Sequence, residues 1–368
     1  MKMRYTSYLI ALVLIALAGT EVMAQSAKFG LAVNGYGRVR VFGGSDSLQQ
    51  FDRFSILAGV SAGKVFDYWN DAEIVEDVTS PAPTVSDLEY YSVFNNTYSA
   101  LPPKFTGKLR TYQWFGNKYA IGKYELVNDS SVAYTTTVGF EFIPKVNNTY
   151  GLESVDYDAA KGVVYTYKTG ETYSGVKILN AQTTGVFSFD WYEGYNLSDD
   201  SLWMWLNKKT FTNTFTAGTD GATTILNSET FTIAAGASKS IYVAYAADAT
   251  LSGFLAQIDS AVARYNRVWA VSVDKANDLV PGTFAVEQNY PNPFNPSTII
   301  NFSVPSQEFV SVRVFNLLGE EVSTLVNNEL TAGNYSVTFN AEGLQSGVYF
   351  YSVSVGSNNI TKKMMLTK

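Results

Sequence analysis

The 368-residue chain contains no histidine and no cysteine. Without cysteine there is no disulfide and no cysteine-linked lipid, so stability has to come from burial alone. Without histidine, Ser-His-Asp and Cys-His triads, the usual nitrogen and sulfur zinc sites and any imidazole proton shuttle are excluded. Chemistry that stays open runs on carboxylates, Lys, Tyr, Ser or Thr, or on a hard cation such as Ca²⁺ held by oxygens. Charge is scarce as well, at 16% of residues against a usual figure of about 25%. Lys and Arg number 26 against 33 Asp and Glu, for a net charge of −7 and a pI near 4.8. Nucleic-acid binding needs clustered Lys and Arg, so no nucleic acid is expected as a partner. Long hydrophobic runs are also missing, apart from one near the start.

That run, Leu9 to Ala18, follows Lys2 and Arg4 and leads to Val22-Met23-Ala24. It is well short of the roughly 20 residues a spanning helix needs. The pattern predicts a secretory signal peptide over residues 1–24, cut after Ala24, and no transmembrane helix in the mature chain. What the sequence has in plenty is aromatic residues, 15% with 25 Tyr, which favour strands over helices.

Strand signals fill the next two hundred residues. Asn34-Gly35 marks a tight turn between Phe29–Val33 and Arg38–Phe42, and Tyr124–Asn128 turns at Asp129-Ser130-Ser131 into Tyr134–Phe142. Phe187, Phe189 and Trp191 alternate, which predicts a strand whose apolar face lies between two sheets. Leu202, Met204 and Leu206 are read as a strand face opposed by Trp203 and Trp205. Leu251, Phe254, Leu255, Ile258, Val262 and Tyr265 instead recur at helical spacing behind Thr250, a candidate N-cap. Many strands and a single late helix predict an all-β chain, with a large antiparallel β-sandwich over residues 27–273.

After a polar stretch at residues 274–285, expected to be a linker, comes Asn289-Tyr290-Pro291-Asn292-Pro293-Phe294-Asn295-Pro296. Its prolines remove backbone donors, so it should be an extended, turn-rich lead-in rather than a central strand. Behind it lie alternating strands (Ile300, Phe302, Val304; Val310, Val312, Val314; Tyr335, Val337, Phe339), a turn at Leu317-Leu318-Gly319-Glu320, the run Gly347-Val348-Tyr349-Phe350-Tyr351, and Lys362-Lys363 near the end. Together these motifs resemble the type A sorting domain of the type IX secretion system of Gram-negative bacteria, covering residues 286–368. The resemblance implies a small immunoglobulin-like β-sandwich. It implies passage across the outer membrane to a secreted or surface-attached state, and as partners the type IX translocon and its sorting-domain peptidase. The sorting-signal residues it implies are Asn289 to Pro296, Gly319, Gly347, Val348, Tyr349, Lys362 and Lys363. The larger region only diffusely resembles β-sandwich modules of secreted bacterial proteins, to which no activity is attached.

Candidate chemistry in that larger region rests on carboxylates and tryptophans. Glu141, and Asp190 with Glu193 beside Trp191, Tyr192 and Tyr195, set acids among aromatics, the combination a glycosidase uses. Alternation puts Glu141 opposite Phe140 and Phe142, and Asp190 opposite Phe189 and Trp191, so both are expected to be solvated outer-face charges and no catalytic residue is assigned. Asp156 with Asp158, or Asp199 with Asp200, could offer oxygens to Ca²⁺ but more often caps turns; no metal and no cofactor is assigned. Trp203 and Trp205, on one side of a strand, could stack on sugar rings together with Trp191 and Asp190, or be core. Exposed, they would favour a glycan-binding or glycan-degrading protein with an extracellular glycan as partner. Buried, they favour a structural or adhesive protein, the preferred expectation. An outer-membrane barrel is the weakest of the three, because a lipid-facing band needs many similar tilted strands.

Overall fold

The computed structural model describes residues 22–26, 29–44, 47–99, 101–191, 198–269, 273–277, 281–341 and 343–367. Most of the expected signal peptide, and Tyr192, Glu193 and Tyr195, lie outside them. The described residues form mainly antiparallel strands, and the chain divides into two units, Met1–Val262 and Ala263–Lys368.

The larger unit stacks two nine-stranded sheets. The first runs Val22–Ser26, Phe29–Val33, Val39–Gly43, Phe51–Ser61, Tyr134–Pro144, Ala222–Ile233, Thr183–Asp190, with two short strands beside it. The second runs Thr214–Thr216, Ser154–Asp158, Val163–Tyr167, Tyr173–Ile178, Ser238–Asp248, Tyr119–Asn128, Phe105–Gln113, Leu88–Asn95, Glu73–Thr79. Period-two alternation sends Val39, Val41, Phe54, Ile56, Val138, Phe140 and Phe142 of the first sheet, and Leu109, Tyr124, Ile241, Val243 and Tyr245 of the second, into one core. The rings interlock at its centre, with Phe54 stacked on Phe140 at 4.9 Å and Tyr124 sharing a hydroxyl hydrogen bond of 3.0 Å with Tyr245.

Each sheet also has a helix on its outer side. The late helix forms as the spacing predicts, over Leu251–Val268, with the Thr250 hydroxyl accepting from Gly253 N at 3.1 Å. Its Phe254 packs on Tyr165 of the second sheet. The other helix, Asp199–Leu206, corrects the strand expected there. Ser198 caps it by accepting from Ser201 N, and Asp199 and Asp200 occupy the first turn, where carboxylates favour the positive end of a helix. Ser-Asp-Asp-Ser was a helix start hidden by an apolar run that also suits a strand.

Across the outer face of the first sheet, register makes two rows of side chains: Leu57, Gly139, Asn227, then Ser55, Glu141, Ile225, Phe187. The glycines make room for the Asp199–Leu206 helix. A Cβ at Gly139 would meet Leu206 Cδ2 at 2.5 Å, and one at Gly59 would meet Trp203 at 2.9 Å. Leu57, Val65, Leu202, Trp205, Leu206 and Ile225 form a second apolar cluster here, with Phe187 and Phe189 against it. This overturns the expected orientation of Phe187 and Phe189, which face the helix. Val186 of the same strand enters the inter-sheet core, and buried Ser188 bonds Thr224 at 2.9 Å.

The smaller unit packs two four-stranded sheets around Ile300, Phe302, Val304, Val310, Val312, Val314, Tyr335, Val337 and Phe339, the residues whose alternation announced them. Part of the segment expected as a linker is a strand, Val273–Asn277, paired with Gly333–Asn340. Its mixed polar sequence suits an edge, where one row of backbone groups needs no partner strand.

Candidate functional site

The proline-rich stretch of the smaller unit is a clasp on the chain's last strand. Asn289 is buried, and its amide nitrogen donates to the Tyr351 hydroxyl at 3.0 Å while that hydroxyl donates to Glu287 O at 2.8 Å. Asn289 Nδ2 donates to Pro291 O and Thr298 Oγ1, and the Thr298 hydroxyl donates to Pro291 O at 2.7 Å. Buried polar groups satisfied this fully hold one backbone path, since losing any partner strands another. Along that path Asn292 Oδ1 accepts from Met365 N at 2.9 Å. Phe294 N donates to Met365 O, and Thr367 N donates to Phe294 O, both at 3.0 Å. The Phe294 ring, fully buried, packs 5.9 Å from Phe339. Residues 73 positions apart are thus tied: the motif's prolines leave few backbone donors, and of those that remain Phe294 N goes to the strand Asn358–Leu366, Tyr290 N to Ile299 O and Asn289 N to the Tyr351 hydroxyl. Tyr290 stands 79% exposed at the outer edge of the clasp.

In the larger unit, charge and aromatic residues gather on the outer face of the first sheet. Glu141 does point away from Phe140 and Phe142, but it is buried, not solvated. Arg53, from the neighbouring strand, pairs with it through Nε at 2.7 Å and Nη2 at 3.1 Å. The face is covered because the turn after Lys64–Phe66 folds over it, laying Tyr68 and Trp69 against the Arg53 guanidinium at 5.7 and 5.8 Å. Asp67 builds that turn: its carboxylate accepts from Trp69 N at 2.7 Å, Asn70 N at 2.9 Å and Asn70 Nδ2 at 3.0 Å. Burial pushes the Asp67 carboxyl up to about 6, with hydrogen bonds from Asn70 and Trp69 pulling the other way and the Asp71 charge adding to the rise. Nearby, Arg40 meets Asp52 at 3.4 Å, and Tyr150 packs 5.4 Å from Trp191.

The other candidate residues separate. Trp203 and Trp205 are on a helix, so two positions apart they face different ways. Trp205 is buried at 4.8 Å from Phe189, Trp203 is half-buried over Gly59, and the exposed residue between them is Met204. No tryptophan platform exists there. Asp190 is half-buried and accepts from Gly218 N at 2.6 Å, tying down a loop instead of standing on the solvated face. Asp158 caps the turn at Lys161 N, and Asp199 accepts from Val65 N. Among the described residues no three acidic side chains converge as a metal site. Trp69, Tyr68 and Arg53 went unmarked in the sequence; Asp-Tyr-Trp-Asn-Asp was a turn signal with an aromatic tip that could have flagged them.

The clasp and its two four-stranded sheets decide one identification. Residues 288–367 match the secretion system C-terminal sorting domain. This is the type IX tail, and it marks the protein as cargo of that system, carried across the outer membrane to a secreted or surface-attached state and engaging the system's machinery on the way. Among the described residues no helix is long and apolar enough to cross a membrane. A search of curated proteins gave no match to the chain. Among solved structures, a bacterial glucoamylase complexed with acarbose aligns at 10% identity and TM-score 0.48, over 65% of this chain and 33% of that one. A polysaccharide lyase aligns at 8% identity and TM-score 0.33, over 97% and 46%. A galactose mutarotase-like protein from Clostridium acetobutylicum aligns at 9% identity and TM-score 0.37, over 64% and 98%. The chain therefore spans a third to under half the length of the first two.

Within the sorting domain the other residues expected to carry the signal serve the scaffold or its surface. Gly319 takes a φ of +80° at the tip of a turn that Asn316 Oδ1 closes by accepting from Leu318 N and Glu320 N. Tyr349 donates to Gln345 O at 2.9 Å. Gly347, Val348 and Tyr349 pair with Leu366, Met365 and Met364, and Lys362 and Lys363 pair with Tyr351 and Phe350, so the dilysine lies on the edge strand that the clasp secures and the Gly-Val-Tyr motif on the strand inside it. Asn295 and Pro296 are exposed, and Pro296 O accepts from Ala341 N.

Proposed function

We propose that the large β-sandwich, assigned to residues 27–273, is a non-catalytic adhesive module that the sorting domain of residues 286–368 delivers outside the cell. The observation that carries this reading is the Arg53–Glu141 pair. A catalytic carboxyl has to reach its substrate, whereas Glu141 is buried and both of its oxygens are taken by the Arg53 guanidinium, at 2.7 and 3.1 Å. Asp190 likewise spends an oxygen on Gly218 N. Burial of Trp205 supports the same side of the choice, because it makes that ring core rather than contact surface. The test is release of reducing ends from a set of extracellular polysaccharides by the purified mature protein and by Glu141→Gln. The proposal predicts no release by either; release that Glu141→Gln abolishes would make the module a hydrolase.

A further inference from the structure

We propose that Tyr36, Tyr68 and Trp69 form a saccharide-binding shelf for a neutral polysaccharide, with a pyranose ring stacked on Trp69. This rests on the adhesive reading above and names its ligand. Trp69 is 64% exposed and Tyr36 37%, with Tyr36 set edge-on to Tyr68 at 6.1 Å. Single exposed apolar residues are ordinary, but this one is held from below by buried groups. Arg53 lies under both Tyr68 and Trp69, and Glu141 fixes Arg53 in turn. Asp67 fixes the backbone of Trp69 itself. An indole whose backbone and underside are both locked loses little freedom when a ligand covers its open face, which is what a binding aromatic requires.

The chemistry of the rim selects the ligand. A pyranose with equatorial hydroxyls offers a flat C–H face to a ring and a polar edge to hydrogen-bonding side chains. Around the shelf Asn34 Nδ2 donates to the Tyr68 hydroxyl at 3.1 Å, and Asn70 stands beside Trp69 on the same turn. Two of the three arginines here are matched by carboxylates, Arg53 by Glu141 and Arg40 by Asp52, and Arg38 lies against the Tyr68 ring at 5.8 Å, which favours a neutral over an acidic sugar.

The test is affinity electrophoresis of the full mature protein through native gels containing laminarin, arabinoxylan or galactomannan, beside Trp69→Ala, Trp69→Phe and Tyr36→Ala. Thermal melts confirm that each variant is folded. At least one polysaccharide should retard the wild type, Trp69→Ala should weaken that binding tenfold or more, and Trp69→Phe should keep part of it. If Trp69→Ala is retarded like the wild type, or if no gel retards the wild type, the shelf is not the site and the proposal fails. Neither result touches the non-catalytic reading, which falls only if the protein cleaves a polysaccharide.

Discussion

Arg53 and Glu141 sit with side chains only 8% and 5% exposed, so each depends on the other to be tolerated in that layer. Arg53→Met should therefore destabilise the large unit by about 3–5 kcal/mol, whereas Arg53→Met with Glu141→Leu should recover most of the loss; urea unfolding of the three proteins measures both. Asp67 gives a pH dependence whose sign is fixed. With its carboxyl pushed up to about 6 by burial, the folded state holds a proton that the unfolded chain has already released. Stability from this group is fullest at or below the ordinary carboxylate range near 4, falls as pH rises to about 6, and stays low above it. Asp67→Asn should flatten that fall by roughly 2–3 kcal/mol between pH 4 and pH 7, read from urea midpoints at the two values. Alternation told correctly which face Glu141 takes. It could not tell that a turn 70 residues earlier covers that face, because cover comes from chain segments remote in sequence.

The Asp199–Leu206 helix shows how far an element can be read from its own residues. An eight-residue segment with Leu, Trp, Met, Trp and Leu in a row has no period that separates a short helix from a buried strand. Only the Ser-Asp-Asp cap favoured the helix, and only the glycines across the sheet say where it docks. Gly139→Ala tests that docking: its new methyl would lie 2.5 Å from Leu206 Cδ2 and 3.1 Å from Leu226 O. Overpacking there should cost roughly 1–3 kcal/mol and raise hydrogen exchange in Leu202–Leu206 before other segments. The long helix and five of the sorting-domain strands were legible because eighteen residues at one period, or successive strands at another, leave fewer alternatives. The clasp was half legible. Three prolines forbade a central strand, but the partner strand Asn358–Leu366 could not be named from spacing. Phe294→Ala should cost the sorting domain about 3–5 kcal/mol. Asn292→Ala, which removes the acceptor for Met365 N, should leave the fold intact and loosen the last strand, seen as faster exchange at Met365 and Leu366.

At the scale of the whole molecule, the account joins an unusual composition to one fate. A chain without histidine or cysteine, poor in charge and built mainly of antiparallel sheet, carries a tail with a core of its own. Cargo and address are then separable, and removing the address should leave the cargo folded but misplaced. The direct measurement is fractionation of a type IX-competent host expressing the full chain or a chain ending at Pro281, with near-ultraviolet circular dichroism of the purified truncated product. The account predicts the full chain in the medium or on the surface, and a folded truncated product held in the periplasm. A truncated protein that reached the medium or the surface as efficiently as the full chain would contradict it.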